Sequence, residues 1–448
     1  MEYSSDQTKI FESYKAGKNI FITGPGGSGK TTIIRQIATD AKQTGIELQV
    51  CALTGCAAIL LKCGAKTLHS WAGVGIAKGT IKEVVEKVLK NRHRRKNWNK
   101  VKTLVIDEVS MLSLKLFAIL DLIGKTIKKS IKPFGGIQII CSGDFYQLPP
   151  IGDTDDEMSA KFCFESDNWN STFDLQIELK TIFRQSNETF SRILNEIRVG
   201  KIRKSSCELL KTYIRMPDEN NPIKPPLILS RRSCVDALNL KEFNKLDSKV
   251  FKFVLKDNKE LTDTPENAKL KEILSSMDID NELDYLKKNI SVEKELLLKI
   301  GTQVMCSVNI DLESENPIAN GSQGIIVDFI KDNTSSVECL LPLIQFNNGD
   351  KRVIGYHTWN SETISGIGII QIPLIYSWAI TIHKAQGTTL DSAQIDIGNN
   401  IFECGQTYVA LSRIKSLEGL YLIAFNPQKI KIYKKVEEFY NTLKINSV

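Results

Sequence analysis

The sequence contains only four histidines among 448 residues, and its ten cysteines follow no tight, regular spacing. A metal site built from several histidines is therefore almost excluded, because the chain has so few of them. We interpret the cysteines as small buried residues of a reducing compartment rather than as a disulfide framework. The first seven residues are polar and include two acids, which does not fit a secretory signal peptide. We therefore expect an intracellular protein that is not secreted.

The sequence also lacks a convincing membrane-spanning segment. Residues 363–382 carry no charge and have the length of a spanning helix. However, this run contains Pro373, Gln371 and many isoleucines, which is typical of two buried strands separated by a turn. We therefore expect no association with a membrane.

The amino-acid composition is that of a folded globular protein. Hydrophobic residues make up 42% and charged residues 25%, which excludes collagen-like and disordered chains. The length predicts roughly three compact units. The 59 basic residues exceed the 52 acidic ones and give a net charge of +7, which permits a polyanionic partner without demonstrating one.

Short apolar segments alternate with helix-like segments in the first part of the chain. A strand-like run at 18–23 precedes a glycine-rich turn and a helical pattern at 31–38, and further strand-like runs occur at 48–53, 104–106 and 137–141. This alternation predicts an α/β fold with a parallel sheet that is covered on both faces. The segment at about 74–100 lacks strand character and ends in a basic run, so we predict a helical insertion there.

A second α/β series begins near residue 175, where we place a domain boundary. Strand-like runs at 227–230, 376–382 and 419–424 are expected to share its sheet, whereas residues 301–373 alternate short β runs with turns and predict a small all-β module. No chemistry is assigned to 257–293. The predicted domains are residues 1–174, residues 175–300 with 374–448, and the inserted module 301–373.

Residues 24–31 read GPGGSGKT, which fits the phosphate-binding pattern G-x-x-x-x-G-K-[ST] without a mismatch. In this pattern, backbone N–H groups converge on a phosphate, Lys30 reaches the β and γ oxygens, and the Thr31 hydroxyl ligates Mg²⁺. Asp107 and Glu108 follow a predicted strand. Asp107 is the candidate for holding Mg²⁺ through water, and Glu108 for orienting or deprotonating the attacking water. The alternative is that the two acids merely begin a helix.

Hydrolysis of a triphosphate also needs positive charge near the transferring phosphoryl group. The candidates are Arg184 and Arg413, both in the second α/β series. If they act on a nucleotide held by the first series, the site lies between two domains. From spacing alone, either arginine is equally well explained as an ordinary salt-bridge partner.

Further motifs follow in a fixed order along nearly the whole chain. They are Gln7 ahead of the phosphate loop and the segments TGCAA (54–58), TLHSWAG (67–73), DEVSM (107–111), PFGGIQ (133–138), GDFYQLPP (143–150), FRQ (183–185), NGSQG (320–324), TIHKAQG (381–387) and YVALSR (408–413). On these residues the chain resembles the Pif1-type, RecD-like DNA helicases of superfamily 1B.

The resemblance implies two RecA-like P-loop domains, with a small helical insertion in the first and an all-β barrel insertion in the second. It also implies that Gln7 reads adenine, that Gln147 senses the γ-phosphate and that Arg184 and Arg413 are arginine fingers. ATP and Mg²⁺ are the implied cofactors. The nucleotide-binding set is Gln7, Gly24, Gly26, Gly27, Ser28, Gly29, Lys30, Thr31, Thr32 and Gly387.

The resemblance further implies 5′ to 3′ movement on single-stranded DNA and unwinding of duplex, forked, RNA–DNA hybrid or G-quadruplex substrates in replication, repair, recombination and telomere maintenance. An ATP-driven translocase, an RNA-directed helicase and an inactive nucleic-acid-binding scaffold remain alternatives. We expect a monomer in solution, with a dimer on DNA as the alternative. With Gln7 so near the start, we expect no cleavable mitochondrial presequence and place the protein in the cytoplasm or nucleus.

Single-stranded DNA is commonly bound by cations along its backbone and by aromatic faces under its bases. The candidates for these contacts are Thr54, His69, Trp71, His383 and Lys384. The alternative for Trp71 is a core position and for His69 a helix cap. The basic run 91–100 is open to three interpretations, namely duplex contact at a fork, a solvated helix end and a nuclear-import signal.

Overall fold

The structure, a computed structural model, describes residues 4–153, 155–183, 187–218, 223–259, 276–290, 292–310, 318, 320–331, 340–361, 364, 366–386 and 388–445. The chain divides into two compact units. The first comprises the chain up to residue 213, together with 397–417 and the part from 424 onwards. The second comprises 214–396 and 418–423.

The helices are numbered in chain order through both units. They are α1 (Ser5–Lys15), α2 (Lys30–Thr44), α3 (Gly55–Leu61), α4 (Leu68–Ala72), α5 (Ile81–Lys90), α6 (Arg92–Lys100), α7 (Leu114–Lys128), α8 (Glu157–Ala160), α9 (Trp169–Thr172), α10 (Glu188–Arg198), α11 (Lys204–Thr212), α12 (Arg232–Asn244), α13 (Ser276–Asn289), α14 (Ile382–Ala385), α15 (Gln406–Leu411) and α16 (Lys434–Ile445).

The strands are numbered in the same way. They are β1 (Ile20–Thr23), β2 (Leu48–Ala52), β3 (Lys66–Thr67), β4 (Thr103–Asp107), β5 (Gln138–Ser142), β6 (Leu175–Glu178), β7 (Leu227–Leu229), β8 (Phe251–Val254), β9 (Lys256–Asn258), β10 (Glu295–Leu298), β11 (Gln303–Cys306), β12 (Gln323–Lys331), β13 (Leu340–Phe346), β14 (Lys351–Val353), β15 (His357–Asn360), β16 (Gly368–Gln371), β17 (Leu374–Tyr376), β18 (Ala379–Thr381), β19 (Ala393–Ile397) and β20 (Leu420–Phe425).

The first unit is built on a six-stranded sheet in the order β3-β2-β4-β5-β1-β6, in which neighbouring strands run parallel. Its central strands are continuous apolar runs, and every residue of β1 and β4 is buried. Such runs suit a sheet that is covered on both faces. One face packs against α2 through Ile33 and Ile37, and the other against a core that includes Phe117 and Trp169. The predicted parallel α/β fold is confirmed.

The predicted boundary near residue 175 differs from the one in the structure. Strand β6, which begins at that residue, pairs in parallel with β1 in the first sheet, and the first unit continues to residue 213. Residues 397–417 and those from 424 onwards also belong to the first unit. A four-residue strand has the same local pattern in either sheet, so its sequence does not indicate which sheet it joins.

The predicted helical segment at about 74–100 contains α5 and α6. Helix α5 begins with a capping box, in which the Thr80 hydroxyl accepts the Glu83 N–H and the Glu83 carboxylate accepts the Thr80 N–H. Helix α6 is anchored by the Trp98 indole, which donates to the carbonyl of Ala72 (3.1 Å). The charged side chains of its basic run, including Arg94 and Arg95, lie on the exposed surface.

The second unit contains a four-stranded sheet in the order β18-β7-β19-β20, in which β7 pairs in parallel with β18 and β19. The predicted strands near 227–230, 376–382 and 419–424 thus contribute to one sheet, as expected. Strand β19 was not predicted. It is followed by the return of the chain to the first unit.

The rest of the second unit is rich in antiparallel β structure. A five-stranded sheet has the order β14-β13-β12-β11-β17, and β15-β16-β9 and β10-β8 form two smaller sheets. Because β8, β9 and β10 precede residue 301, this region begins earlier than the predicted module. Within 257–293, helix α13 packs Leu283 into a small core with Trp359 and Ile369, while residues 260–275 lie outside the described chain.

The uncharged run at 363–382 forms strands rather than a spanning helix, as expected, but there are three strands among its described residues and not the predicted two. Its described residues form β16, β17 and β18, with Pro373 between the first two. Across the part of the chain that the structure describes, no helix combines the length and apolar character needed to cross a membrane.

Candidate nucleotide site

The phosphate loop lies between β1 and the first turn of α2, which begins at Lys30. Gly24 and Gly29 have φ values of +141° and +87°, which L side chains rarely adopt. A Cβ atom at Gly24 would lie 2.5 Å from the Leu179 carbonyl oxygen, and one at Gly29 would lie 2.5 Å from Gln7 Nε2. The loop therefore needs these glycines. Its position at the start of a 15-residue helix suits an anionic phosphate.

The Lys30 ammonium group lies inside this loop. Its Nζ donates to the carbonyl oxygens of Gly24 (2.6 Å) and Pro25 (2.9 Å), and it lies 3.5 Å from the Ser28 hydroxyl. Burial lowers the pKa of Lys30, and the Asp144 carboxylate is the strongest influence in the opposite direction. These neutral carbonyl oxygens only partly balance the positive charge of Lys30. A bound phosphate would supply the anion that balances it. The loop thus fits a nucleotide phosphate.

Asp107 and Glu108 stand at the carboxyl end of β4. Asp107 is only 7% exposed, and burial, followed by the neighbouring charge of Glu108, raises its pKa from an ordinary 3.8 to about 7. Glu108 has a φ of +57°, a left-handed backbone conformation that is uncommon outside glycine and is often found at functional sites. Two adjacent carboxylates, one of them buried, form a site that favours a cation, so these residues fit the expected Mg²⁺.

The raised pKa of Asp107 predicts how the stability of the unliganded protein depends on pH. Near about pH 3 both folded and unfolded states keep this proton, whereas between about pH 4 and 7 only the unfolded state loses it, so the fold is destabilised increasingly as pH rises. We expect Asp107→Asn to match wild type near about pH 3 and to be more stable by about 2–4 kcal/mol at pH 8. Urea unfolding with EDTA measures this difference.

Asp155→Asn is the matched control, because Asp155 is exposed in a loop of the same unit. It should follow the wild-type stability at both pH values. A stability of Asp107→Asn that equals wild type at pH 8 would contradict the prediction.

Gln7 lies against the phosphate loop. It is 4% exposed, and its side-chain oxygen accepts the N–H of Ser4 (3.1 Å) as part of the capping box that begins α1. Its amide nitrogen faces Gly29. Gln7 is therefore close to the loop, while its reading of adenine stays a prediction. Thr31 and Thr32 occupy the first turn of α2 and are half-buried.

The segment from Gly143 to Pro150 also belongs to the first unit and carries Gln147, which is 6% exposed. It approaches the start of α15 so closely that a Cβ at Gly405 would lie 2.5 Å from the Gln147 carbonyl oxygen. From α15, the Tyr408 hydroxyl accepts the N–H of Gly26 in the phosphate loop (2.8 Å). Sequence reasoning did not assign Tyr408 a contact with this loop.

Of the two arginine candidates, the structure describes Arg413 but not Arg184. Arg413 belongs to the first unit, not to the second domain in which the sequence placed it, because the chain returns after β19 and packs α15 beside α10. Its guanidinium is 3% exposed and donates to the Val409 carbonyl (2.9 Å) and the Ser412 hydroxyl (2.8 Å). Arg184 lies outside the described residues, as does Gly387.

Trp71 is a core residue rather than a stacking platform. It is 3% exposed, and its ring lies 4.9 Å from that of Trp98, so it has no free face for a base. The sequence left a core position open as the alternative for Trp71, and the structure shows Trp71 in that position. His69, two residues before Trp71 on α4, is half-buried, and burial lowers its pKa. The Thr54 hydroxyl accepts the Ala57 N–H (3.2 Å), and a hydroxyl can also donate one hydrogen bond.

His383 and Lys384 lie exposed on α14 in the second unit. This short helix begins at Thr381, whose hydroxyl accepts the Lys384 N–H (3.1 Å). Both side chains are accessible to a ligand from solvent.

Sequence reasoning missed a buried ion pair beside the phosphate loop. Arg198, at the end of α10, donates to both oxygens of Asp144 (2.9 and 3.0 Å) and to Glu178 (2.9 Å). Asp144 is fully buried and Arg198 is 5% exposed. The only available signal was the position of Asp144 in the GDFYQLPP motif, because the sequence around Arg198 reads as the end of an ordinary amphipathic helix.

Several known helicases are similar to this chain over most of its length. The family model "PIF1-like helicase" matches residues 2–208. The curated ATP-dependent DNA helicase PIF1 of Danio rerio is 33% identical over 98% of this chain, which spans 64% of that protein's length. The crystal structure of Pif1 helicase from Candida albicans covers 99% of this chain and 100% of its own, with 30% identity and a TM-score of 0.77.

A second structure, Pif1 helicase from Bacteroides in complex with ADP-AlF3 and single-stranded DNA, covers 99% of this chain and 98% of its own, with 27% identity and a TM-score of 0.67. The resemblance first drawn from ordered motifs therefore extends through both compact units. The chain belongs to the PIF1-like helicase family.

Proposed function

We propose that this protein is an ATP-dependent DNA helicase. The observation that carries the proposal is the pairing, within one unit, of a strand-loop-helix phosphate site at Lys30 with the carboxylates at the end of β4. This is the arrangement that nucleoside triphosphate hydrolysis requires. Further support comes from the Bacteroides relative, which binds ADP-AlF3 and single-stranded DNA in its crystal structure.

In this proposal, the N–H groups of residues 26–31 and the Lys30 ammonium hold the phosphates. Thr31 and Asp107 would hold Mg²⁺, which would neutralise phosphate charge when bound. Glu108 is the candidate to orient or deprotonate the attacking water. The Tyr408 hydroxyl occupies one of the loop N–H groups in the structure, so phosphate would compete with it for Gly26.

We propose that Arg413 and Arg184 stabilise the charge that develops on the transferring phosphoryl group, an effect of roughly 10³–10⁵ in rate when an arginine supplies it. For Arg413 this requires exchanging its bonds to Val409 and Ser412 for the phosphate. Gln147 would sense the γ-phosphate, and Gly387 would belong to the motif that links nucleotide state to DNA binding.

For DNA, we propose Thr54 and His69 in the first unit and His383 and Lys384 in the second. Trp71 is left out of this set, because it is buried against Trp98 and cannot take its expected stacking role. Movement from 5′ to 3′, single-stranded and forked or structured DNA as partners, and RNA–DNA hybrid and G-quadruplex unwinding are the finer parts of the proposal. The two units would be RecA-like domains, the first with the α5–α6 insert and the second with a β-barrel insert.

Matched DNA duplexes with either a 5′ or a 3′ single-stranded tail test this function. We expect strand separation of the 5′-tailed duplex only, and only with ATP and Mg²⁺. Unwinding only from the 3′ tail would overturn the polarity, and ATP-dependent unwinding only of an equally tailed RNA duplex would favour the RNA-directed alternative. Binding of oligo-dT without any ATP turnover would indicate an inactive scaffold.

A further inference from the structure

Helix α16 brings a hydroxyl group next to the end of β1, where the phosphate loop begins. Tyr440 on this helix is 1% exposed, and its hydroxyl lies 2.5 Å from that of Thr23, the last residue of β1 before the phosphate loop. The same oxygen accepts the N–H of Phe145 (3.2 Å) and donates to Asp144 Oδ1 (3.1 Å). One side chain therefore joins the end of β1 to the segment that carries Gln147.

The hydrogen-bonding capacity of this hydroxyl is fully used. A tyrosine hydroxyl has one proton to donate and two lone pairs that accept. Here the proton goes to Asp144, and the Phe145 N–H and the Thr23 hydroxyl fill the two acceptor positions. Because all these groups are buried, losing the hydroxyl would leave three polar groups without this partner.

The Tyr440 ring is also part of the buried ion pair. The Arg198 guanidinium lies over the Tyr440 ring at 5.2 Å and over the Tyr146 ring at 4.8 Å, and the two rings stack with centroids 4.5 Å apart. The Asp144 carboxylate accepts hydrogen bonds from Nε and Nη2 of Arg198 and from the Tyr440 hydroxyl. Asp144 is also a leading electrostatic influence on Lys30. The carboxylate thus has a fixed position beside the phosphate loop.

We propose that Tyr440 is a positioning residue for ATP hydrolysis. Its hydroxyl holds Asp144 and Thr23 at a fixed separation and so aligns the Gln147 segment with the phosphate loop. The inference rests on the proposed ATPase function and adds α16 to the elements that complete the site. Tyr440 does not touch the nucleotide in this assignment, and it acts through Asp144 and Thr23.

Contacts that do not involve the hydroxyl hold α16 in place. The Phe439 ring stacks on Phe164 at 4.4 Å, Lys435 pairs with Glu165 (2.6 Å), and Glu437 pairs with Lys201 (2.6 Å). The helix is therefore expected to stay docked when only the Tyr440 oxygen is removed. Tyr440→Phe keeps the ring and isolates the contribution of the hydroxyl.

The test compares Tyr440→Phe with Tyr433→Phe. Tyr433 lies just before the same helix and donates its hydroxyl to Glu403 (2.7 Å) at an exposed site in the first unit. We expect Tyr440→Phe to lower kcat for DNA-stimulated ATP hydrolysis by about 10–100-fold, the scale of an ångström-level misplacement, with KM changed less than about threefold. Tyr433→Phe should retain wild-type kcat. A folded Tyr440→Phe with wild-type kcat would overturn the proposal.

Hydrogen exchange of the backbone amides gives a second readout that does not depend on turnover. Because the Phe145 N–H loses its acceptor, exchange in residues 143–149 and 23–30 should become faster in Tyr440→Phe and stay unchanged in Tyr433→Phe. If amide exchange in these two segments is the same in Tyr440→Phe as in wild type, the proposal is overturned, even if the wild type hydrolyses no ATP. Failure of the ATPase proposal is recognised separately, since wild type would then hydrolyse ATP no faster than Lys30→Ala.

Discussion

Lys30→Ala is expected to lower DNA-stimulated ATP turnover by about 10²–10³-fold or more, the scale seen when a preorganised donor to a developing charge is removed. The Lys30 ammonium is already in the phosphate loop, bonded to the Gly24 and Pro25 carbonyls, so little movement separates it from a bound phosphate. Alanine offers no positive charge at that position. Steady-state release of phosphate with saturating oligo-dT measures the loss.

DNA binding should survive this substitution. Thr54 and His69 lie at α3 and α4, and His383 and Lys384 lie on α14, so none of the proposed DNA contacts shares the turn that carries Lys30. We expect fluorescence anisotropy to give a Kd for oligo-dT within about threefold of wild type, a change worth less than 1 kcal/mol. Strand separation should be lost because it depends on turnover.

Lys42→Ala is the matched control, because it removes the same side chain and charge from another position of the same helix. Lys42 is exposed in the last turn of the same helix, α2. It should hydrolyse ATP at the wild-type rate. If Lys30→Ala hydrolyses ATP as fast as Lys42→Ala, the phosphate loop is not the hydrolytic site.

Arg198→Met is expected to produce the largest loss of stability. Arg198 is the main partner of the fully buried Asp144, and removing one member of a buried ion pair leaves an uncompensated charge at a typical cost of about 3–5 kcal/mol. Glu178 also loses its bond to Arg198. Urea unfolding, followed by a probe in the first unit, should show a lower free energy of unfolding by that amount.

The exposed pair Lys90–Glu86 supplies the control, because it lies in the first unit and its side chains are 80% and 65% exposed. Exposed ion pairs contribute about 0–1 kcal/mol, so Lys90→Met should change stability by less than about 1 kcal/mol. Adding Asp144→Asn to Arg198→Met should recover part of the loss, since the buried charge is then removed as well. A loss below about 1 kcal/mol for Arg198→Met would contradict the prediction.

The predictions that succeeded rest on short stretches of sequence. The GPGGSGKT loop requires glycines at particular backbone positions and a helix directly after it, and both are visible in eight consecutive residues. Asp107 and Glu108 were found in the same way, because the carboxyl end of a parallel strand places them beside that loop. Continuous apolar runs also identified the buried parallel strands.

The predictions that failed depend on contacts between distant residues. Strand β6 joins the first sheet by pairing with β1, and four residues of ordinary strand pattern do not specify that partner. Trp71 was a candidate for DNA because aromatic residues serve both cores and bases, and only the packing against Trp98 decides between them. The roles of Arg198 and Tyr440 arise wholly from the tertiary structure, so no local pattern announced them.

The bond between Tyr440 and Thr23 joins residues 417 positions apart in the chain. During synthesis at about 5–20 residues per second, the last strand of the parallel sheet, β6, is made roughly 13–52 s before Tyr440. If the sheet folds before Tyr440 is made, the Gln147 segment lacks this alignment with the phosphate loop throughout that interval. ATP hydrolysis by a nascent polypeptide would then be suppressed until Tyr440 has been made.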